Sequence, residues 1–246
     1  MNRIQLTIWF VLLLATGARA DGIGPAEESF HAGVQAYQAE NFSGAAEAFQ
    51  KSLAEKPAAG AFENLGDAEW QRGRMGPAVL AWEQALWLSP RDAAARNNLE
   101  FARNFGQLDA PELTWYEVVS TWMPSGCWAL LTTFSLWLVA DMLALPGILR
   151  RRRRGWHQAL AAVGLTLLLL TLPAHLGWHT RSKIGFVLQS NTPLRLTPTE
   201  LSDEITRMGA GEPGRCERTL GNYYYVRFRN SAGWLARDEF GLVAGK

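Results

Sequence analysis

Two long apolar runs, Gly126–Leu149 (GCWALLTTFSLWLVADMLALPGIL) and His157–Trp178 (HQALAAVGLTLLLLTLPAHLGW), flank five consecutive arginines, Arg150, Arg151, Arg152, Arg153 and Arg154. No other feature restricts the fold as strongly. Each run exceeds 20 residues, and at about 1.5 Å per helical residue that crosses a hydrocarbon core of about 30 Å. Lipid offers no partner to a backbone N–H or C=O, so both runs are expected to be helical: transmembrane helices 126–149 and 157–178. The basic loop 150–156 is short, so the two helices form an antiparallel hairpin. Short Lys/Arg-rich loops stay cytoplasmic. The five arginines therefore set the topology and place both flanking segments across the membrane. A loop this tight against lipid leaves no room for a duplex, and the formal net charge is only +1. No nucleic-acid partner is expected; anionic lipid headgroups are an expected secondary contact of the arginines.

The N-terminus agrees with this topology. Arg3 precedes the apolar run IQLTIWFVLLLATG, and Ala18-Arg19-Ala20 fits a small-x-small cleavage site before Asp21. Residues 1–20 read as a signal peptide. Cleaved or retained as an anchor, it exports the chain from Asp21 onward. The expected location is a bacterial inner membrane, crossed twice, with both flanking modules periplasmic.

Residues 21–110 carry 7 Lys/Arg and 13 Asp/Glu and contain a repeat. Gly33 pairs with Gly66, Ala45 with Ala78, Phe49 with Trp82, Ser52 with Ala85 and Pro57 with Pro90, each pair 33 residues apart. This period resembles the tetratricopeptide repeat (TPR), here about 26–57 and 59–90. The small residues let antiparallel helices approach, the aromatics fill the wedge between repeats, and the prolines stop the second helix of each pair. Arg91–Gly106, with Ala95, Leu99 and Ala102 at helical spacing, is expected to be the solvating cap helix. Glu112–Ser125, rich in Trp and Tyr, suits an amphipathic helix at the membrane interface. The first helix of each repeat lines the concave side. Phe30, Val34, Tyr37, Glu63, Asp67 and Trp70 are expected there as an aromatic, acidic groove for a basic or amphipathic peptide. The alternative use of these side chains is packing within the array. The Lys/Asn set that clamps a free carboxylate in chaperone-binding TPR proteins is not present.

Residues 183–246 have short β-prone runs (GFVLQ, PLRLTP, NYYYVRFRN, GWLARDEFGLV) between Gly, Pro and Asn turn signals. Tyr224, Val226 and Phe228 alternate with Tyr223, Tyr225 and Arg227, so one face is buried and the other wet. The order "PLR-x-x-P", central strand, "GW" and closing strand resembles the bacterial SH3-like domain, a small all-β barrel. That resemblance implies binding of peptides or cell-wall fragments, with Tyr223, Tyr225 and Trp234 as contact candidates; barrel core is the other reading of Trp234.

Asp141 lies inside the first apolar run, where a carboxylate costs a few kcal/mol unless paired or hydrated. It is either a helix–helix contact, within the chain or with a partner, or a protonated or water-reached side chain. His175 is near the wrong end of the second run to reach it, and Thr166 is the polar residue at its depth. The four histidines and two cysteines show no metal-ligand spacing. There is no phosphate-binding glycine loop and no nucleophile elbow. Cys127 and Cys216 have dissimilar neighbours, so no disulfide framework is expected. Neither catalysis, a metal nor a cofactor is expected.

The fold class is therefore multidomain: an α-helical TPR solenoid, a transmembrane helical hairpin and a small all-β SH3-like barrel. This order, with LSPRDAAARNNLEFAR after the second repeat and a short basic loop between the spanning helices, resembles the BatE-type proteins of bacterial aerotolerance (Bat) operons. The resemblance implies a scaffold that works with membrane-anchored von Willebrand factor A-type proteins. The alternative is an adaptor that binds peptidoglycan and recruits an envelope enzyme.

Overall fold

A computed structural model of the chain describes residues 24–148 and 155–245; the expected signal peptide and the block Arg150–Arg154 lie outside the described residues. The N-terminal part is helical: α1 (Pro25–Gln38), α2 (Phe42–Glu55), α3 (Ala59–Gln71), α4 (Met75–Leu88) and α5 (Ala93–Gly106). Helix α4 begins and ends 33 residues after α2, so the sequence period is also a structural one. Its cause is visible at two glycines. A methyl group on Gly33 would lie 2.6 Å from the Phe49 ring, and one on Gly66 would lie 2.5 Å from the Trp82 ring. Each bare helix face accepts one aromatic face, and the two helices of a pair close on each other. Asn41 caps α2 by accepting from Gly44 N–H at 3.0 Å, and Asp92 caps α5 through Ala94 and Ala95 N–H at 3.1 and 3.2 Å. Helix α5 packs inward through Ala95, Leu99 and Ala102. It is not fully solvating, however, because Phe101 and Phe105 stay 58% and 69% exposed.

A short helix α6 (Trp115–Ser120) leads into two apolar helices, α7 (Ser125–Ile148) and α8 (Gly155–Arg181). Both are long and apolar enough to cross a membrane, about 36 and 40 Å at helical rise. They pack against each other, with Gly164 facing the Ser135 carbonyl and Val139. Only 12% and 22% of their most apolar windows are buried, whereas the core helices of a water-soluble domain are mostly buried. Leu130, Phe134, Trp137, Leu165, Leu169 and Leu172 point outward as an apolar belt. Trp115 and Trp122 are exposed at the mouth of the hairpin, where amphipathic rings suit a headgroup layer. Helix α6 is shorter than the 112–125 segment expected from composition. Its start is fixed by Thr114 and Glu117, which form a reciprocal capping box.

The C-terminal part is one antiparallel sheet of seven strands: β1 (Ile184–Val187), β2 (Thr192–Arg195), β3 (Glu204–Met208), β4 (Pro213–Leu220), β5 (Tyr223–Arg227), β6 (Ala232–Ala236) and β7 (Phe240–Leu242), in the order β3-β2-β6-β5-β4-β1-β7. The sheet is not closed: β3 and β7 are its two edges, in place of the barrel expected from sequence. Tyr224, Val226, Phe228 and Leu235 are buried on the inner face with Val187, Leu194 and Phe240.

The three parts share their interiors. Ile184, Phe186 and Val243 from the sheet join Val79, Trp82, Trp87 and Leu99 from α4 and α5 in a single core cluster. Gly76 of α4 sits directly on the carbonyls of Val187 and Leu188, and Gly241 of β7 receives Leu80. Gln84 Nε2 donates to the Leu242 carbonyl at 3.2 Å. Helix α8 does not stop at Trp178 but continues to Arg181, and its last turns are clasped on every side. Gly177 lies against the Tyr116 carbonyl of α6. Trp87 of α4 is stacked on Trp178 at 5.0 Å, and the Arg181 guanidinium lies 5.3 Å from the same Trp87 ring. Arg181 also donates to Ser120 Oγ at 3.2 Å.

At the centre of this junction, Glu117 has no exposed side-chain surface. Its two oxygens accept from Arg215 of β4 at 2.7 and 3.1 Å, and Oε2 also accepts from Thr114 N–H at 2.8 Å. Arg215 reaches the Thr180 carbonyl of α8 at 3.1 Å as well. Burial by itself would raise the Glu117 carboxyl; hydrogen bonds from Arg215, Thr114 and Thr180 and the charge of Arg215 outweigh it and hold it at about 2, against 4.5 for a free side chain. A carboxyl whose folded pKa is depressed contributes stability above its unfolded value, and loses it as pH falls toward the folded one. Glu117→Gln is therefore expected to lower stability at pH 7 by about 3 kcal/mol. Thermal unfolding of the detergent-solubilised chain should show the gap from wild type shrinking as pH falls from 4.5 toward 2. A gap independent of pH would assign the loss to packing instead.

Candidate functional site

The concave side of the helical array holds a cavity of about 260 Å³, lined by Tyr37, Asp67, Trp70, Gln71, Trp82, Asn98 and Phe101. Four helices build it. Helix α1 supplies Tyr37, α3 supplies Asp67 and Trp70 one turn apart, and α5 supplies Asn98 and Phe101 on successive turns. Trp82 reaches in from α4. Its indole Nε1 donates to Asp67 Oδ1 at 2.9 Å, and Asn98 Nδ2 donates to the same oxygen at 2.8 Å. Trp70 contacts three rings: Trp82 at 5.9 Å, and Phe101 and Phe105 each at 5.6 Å edge-to-face. Phe101 and Phe105 lie nearly parallel at 6.3 Å, extending the aromatic surface beyond the cavity rim.

The electrostatics are acidic. Partial burial pushes the Asp67 carboxyl up, and the hydrogen bonds from Trp82 and Asn98 offset only part of that. Burial likewise raises Glu63, and the nearby charges of Asp92 and Asp67 raise it further. The arginines of this region are engaged elsewhere. Arg72 and Arg74 hold the buried Glu69 at 3.0 and 3.3 Å, Arg96 donates to the Pro90 carbonyl at 2.7 Å, and Arg103 pairs with Glu83.

Of the residues expected to line a groove, Tyr37, Asp67 and Trp70 come together at this cavity. Glu63 stands one helical turn before Asp67 and contributes charge. Phe30 and Val34 pack around the Phe49 cluster, as Tyr37 also does, and do not line the cavity; Phe30 is 5.7 Å from Phe49. Asn98, Phe101 and Trp82 were missed. Trp82 follows the repeat position of Phe49, where the sequence pattern predicts a wedge filler, which it also is. Asn98 and Phe101 belong to α5, which occupies the place of a third first-helix and so faces the same concavity. That equivalence was the signal available in the sequence.

The sheet holds a second set. Tyr225 and Trp234 are opposed on β5 and β6, their rings 5.3 Å apart, and both are partly exposed. Trp234 is not in the core; Tyr224 and Leu235 fill that role. Tyr223 shares the outward face. Arg195 is opposite Trp234 on β2 and is paired with Glu239 at 2.9 Å.

Within the apolar helices, the Asp141 side chain is exposed, and no hydrogen bond or ion pair reaches it among the described residues. Thr166 bonds back to the Ala162 carbonyl at 3.0 Å, while His175 contacts Thr132 at 2.7 Å near the opposite end of the hairpin. Cys127 is free and exposed, and Cys216 is free and buried.

A coupled pair of donors on one carboxylate makes a clear test. Trp82→Phe and Asn98→Ala are each expected to cost about 1–2 kcal/mol in thermal or denaturant unfolding. The double variant should depart from their sum, because both act through Asp67 Oδ1. Strict additivity would mean that the two bonds do not share the carboxylate in solution.

No protein-family model matches this chain, and no curated protein matches it.

Proposed function

We propose that this protein is a non-enzymatic, membrane-anchored scaffold that holds protein partners at the concave surface of its helical array. One observation carries the reading: Tyr37, Asp67 and Trp70, from two separate helix pairs, converge with Phe101 and Asn98 on one open aromatic cavity around an anchored carboxylate. Partly exposed aromatic rings around a shared polar centre suit recognition of a peptide segment. In this reading the helix pairs are tetratricopeptide repeats and the sheet is an opened relative of the SH3-like domains. The hairpin crosses a bacterial inner membrane twice, with array and sheet periplasmic and the arginine block cytoplasmic. The direct packing of array on sheet at one end of the hairpin supports that arrangement, since both must then lie on the same side. The partner class follows the BatE resemblance: von Willebrand factor A-type membrane proteins.

The outward Tyr225–Trp234 pair favours a second reading, an adaptor for cell-wall peptides that recruits an envelope enzyme. Aromatic faces at a wet surface suit such ligands.

Topology is tested by cysteine labelling with a membrane-impermeant maleimide. Cys127 and Cys216 are first replaced by Ser. A Thr199→Cys probe in the exposed β2–β3 connection is expected to label in intact spheroplasts, and an Arg152→Cys probe only after permeabilisation. The reverse pattern would remove the periplasmic assignment.

Function is tested by affinity purification of the full chain from its own membranes in mild detergent, comparing wild type with Asp67→Ala/Trp70→Ala. Von Willebrand factor A-type proteins are expected with wild type and are lost from the variant. Cell-wall enzymes or muropeptides recovered from both, and lost instead from Trp234→Ala, would overturn the scaffold reading in favour of the adaptor.

A further inference from the structure

We propose that the cavity at Tyr37, Trp70 and Phe101 is a receptor for a single arginine side chain of the partner, with the free oxygen of Asp67 accepting the guanidinium. The inference rests on the concave-surface reading above and gives that surface a ligand chemistry.

The first argument is the one-sided anchoring of Asp67. Oδ1 takes both protein donors, from Trp82 and Asn98. Oδ2 has no donor among the described residues. The carboxylate is thus tethered through one oxygen, with half of its acceptor capacity unused by the protein, at a residue that lines the cavity. Two donors on a single oxygen also fix its plane, which suits a flat ligand group approaching from the open side.

The second argument is the lack of a neutralising cation. No Lys or Arg lines the cavity, and Arg72, Arg74, Arg96 and Arg103 are each bound to another acceptor. A partly buried carboxylate with Glu63 and Asp92 nearby lowers the cost of bringing in an external positive charge.

The cavity walls favour guanidinium over ammonium. The walls are the rings of Tyr37, Trp70 and Phe101, and a guanidinium stacks on aromatic faces while shedding less hydration than an ammonium. The cavity volume of about 260 Å³ is below the range of about 300–1,000 Å³ typical of small-molecule sites. That volume suits one long side chain. The exposed Phe101 and Phe105 at the rim would cover apolar residues flanking the arginine, so the preferred segment carries an arginine beside hydrophobic positions.

The experiment uses the full chain in nanodiscs with the tryptophan indoles labelled with nitrogen-15. The Trp82 indole N–H, which donates to Asp67, is the reporter. The probe is N-acetyl-arginine methylamide, and the controls are the citrulline analogue, which is nearly isosteric and neutral, and choline. Saturable movement of the Trp82 and Trp70 resonances by the arginine probe is expected, with a Kd on the order of millimolar. The citrulline analogue and the Asp67→Asn variant should each be weaker by about tenfold or more. Asp67→Asn retains an acceptor for Trp82 and Asn98, so its array should stay folded. Phe101→Leu, at an exposed position, should weaken the probe several-fold while the array stays folded. Equal binding of citrulline or choline would overturn the arginine assignment, as would the absence of any saturable shift. If the probe fails while partner recovery still depends on Asp67 and Trp70, the scaffold stands and the arginine receptor falls. If the probe binds but no partner is recovered, the receptor stands and the scaffold reading falls.

Discussion

The Glu117–Arg215 pair spans 98 residues of sequence and has its carboxylate completely out of water. Removing two charges from solvent costs several kcal/mol per ion, and attraction alone does not always recover it. Here the geometry supplies what is needed: two guanidinium contacts, a backbone N–H and the Thr180 carbonyl. Such a pair is satisfied in one arrangement only. It demands that α6, the end of α8 and strand β4 meet at one point. Most of what distinguishes this structure from a string of independent modules follows from that demand.

The shared core is the apolar counterpart of the same constraint. Ile184, Phe186 and Val243 are sheet residues by sequence, yet they fill space between Val79, Trp82 and Leu99 of the array. Gly76 and Gly241 carry no side chain because backbone meets neighbour there. One sheet edge is thereby occupied: Leu80 and Gln84 approach β7, where an uncovered edge would otherwise offer its backbone for pairing. The other edge, β3, has four of its five residues exposed and carries the Glu204–Arg207 ion pair, a charged surface that discourages strand addition.

Features set by local pattern were legible in the sequence. The 33-residue period located α1 to α4, because Gly33 with Phe49 and Gly66 with Trp82 repeat one physical contact. The alternation through Tyr223–Phe228 assigned inner and outer faces of β5 correctly, and two long, largely apolar runs located α7 and α8. What escaped was set by distant partners. Nothing local marks Arg181 as the last residue of α8; its guanidinium is held by Ser120 and Trp87, both far away in sequence. Sheet closure depends on the geometry of all the strands together, and the turn signals in 183–246 carry no information about β3 meeting β7. At the cavity, Tyr37, Asp67 and Trp70 were found from their repeat positions. Asn98 and Phe101 were not, because α5 was read as a terminus with a polar outer side and not as a third lining helix.

The clasp of α6 on Gly177 has a mechanical consequence. It ties the approach to α7 to the final turns of α8, and Trp87 and Arg215 join that point to the array and the sheet. At this end of the hairpin the two helices cannot slide past each other. In a bilayer of changing thickness, an unconstrained pair would adjust each helix separately. This pair has to tilt as one unit, and the array and sheet tilt with it. The cavity is therefore held at a fixed angle to the hairpin axis, and in the membrane arrangement proposed above its height and aim over the lipid surface would follow the thickness of the bilayer.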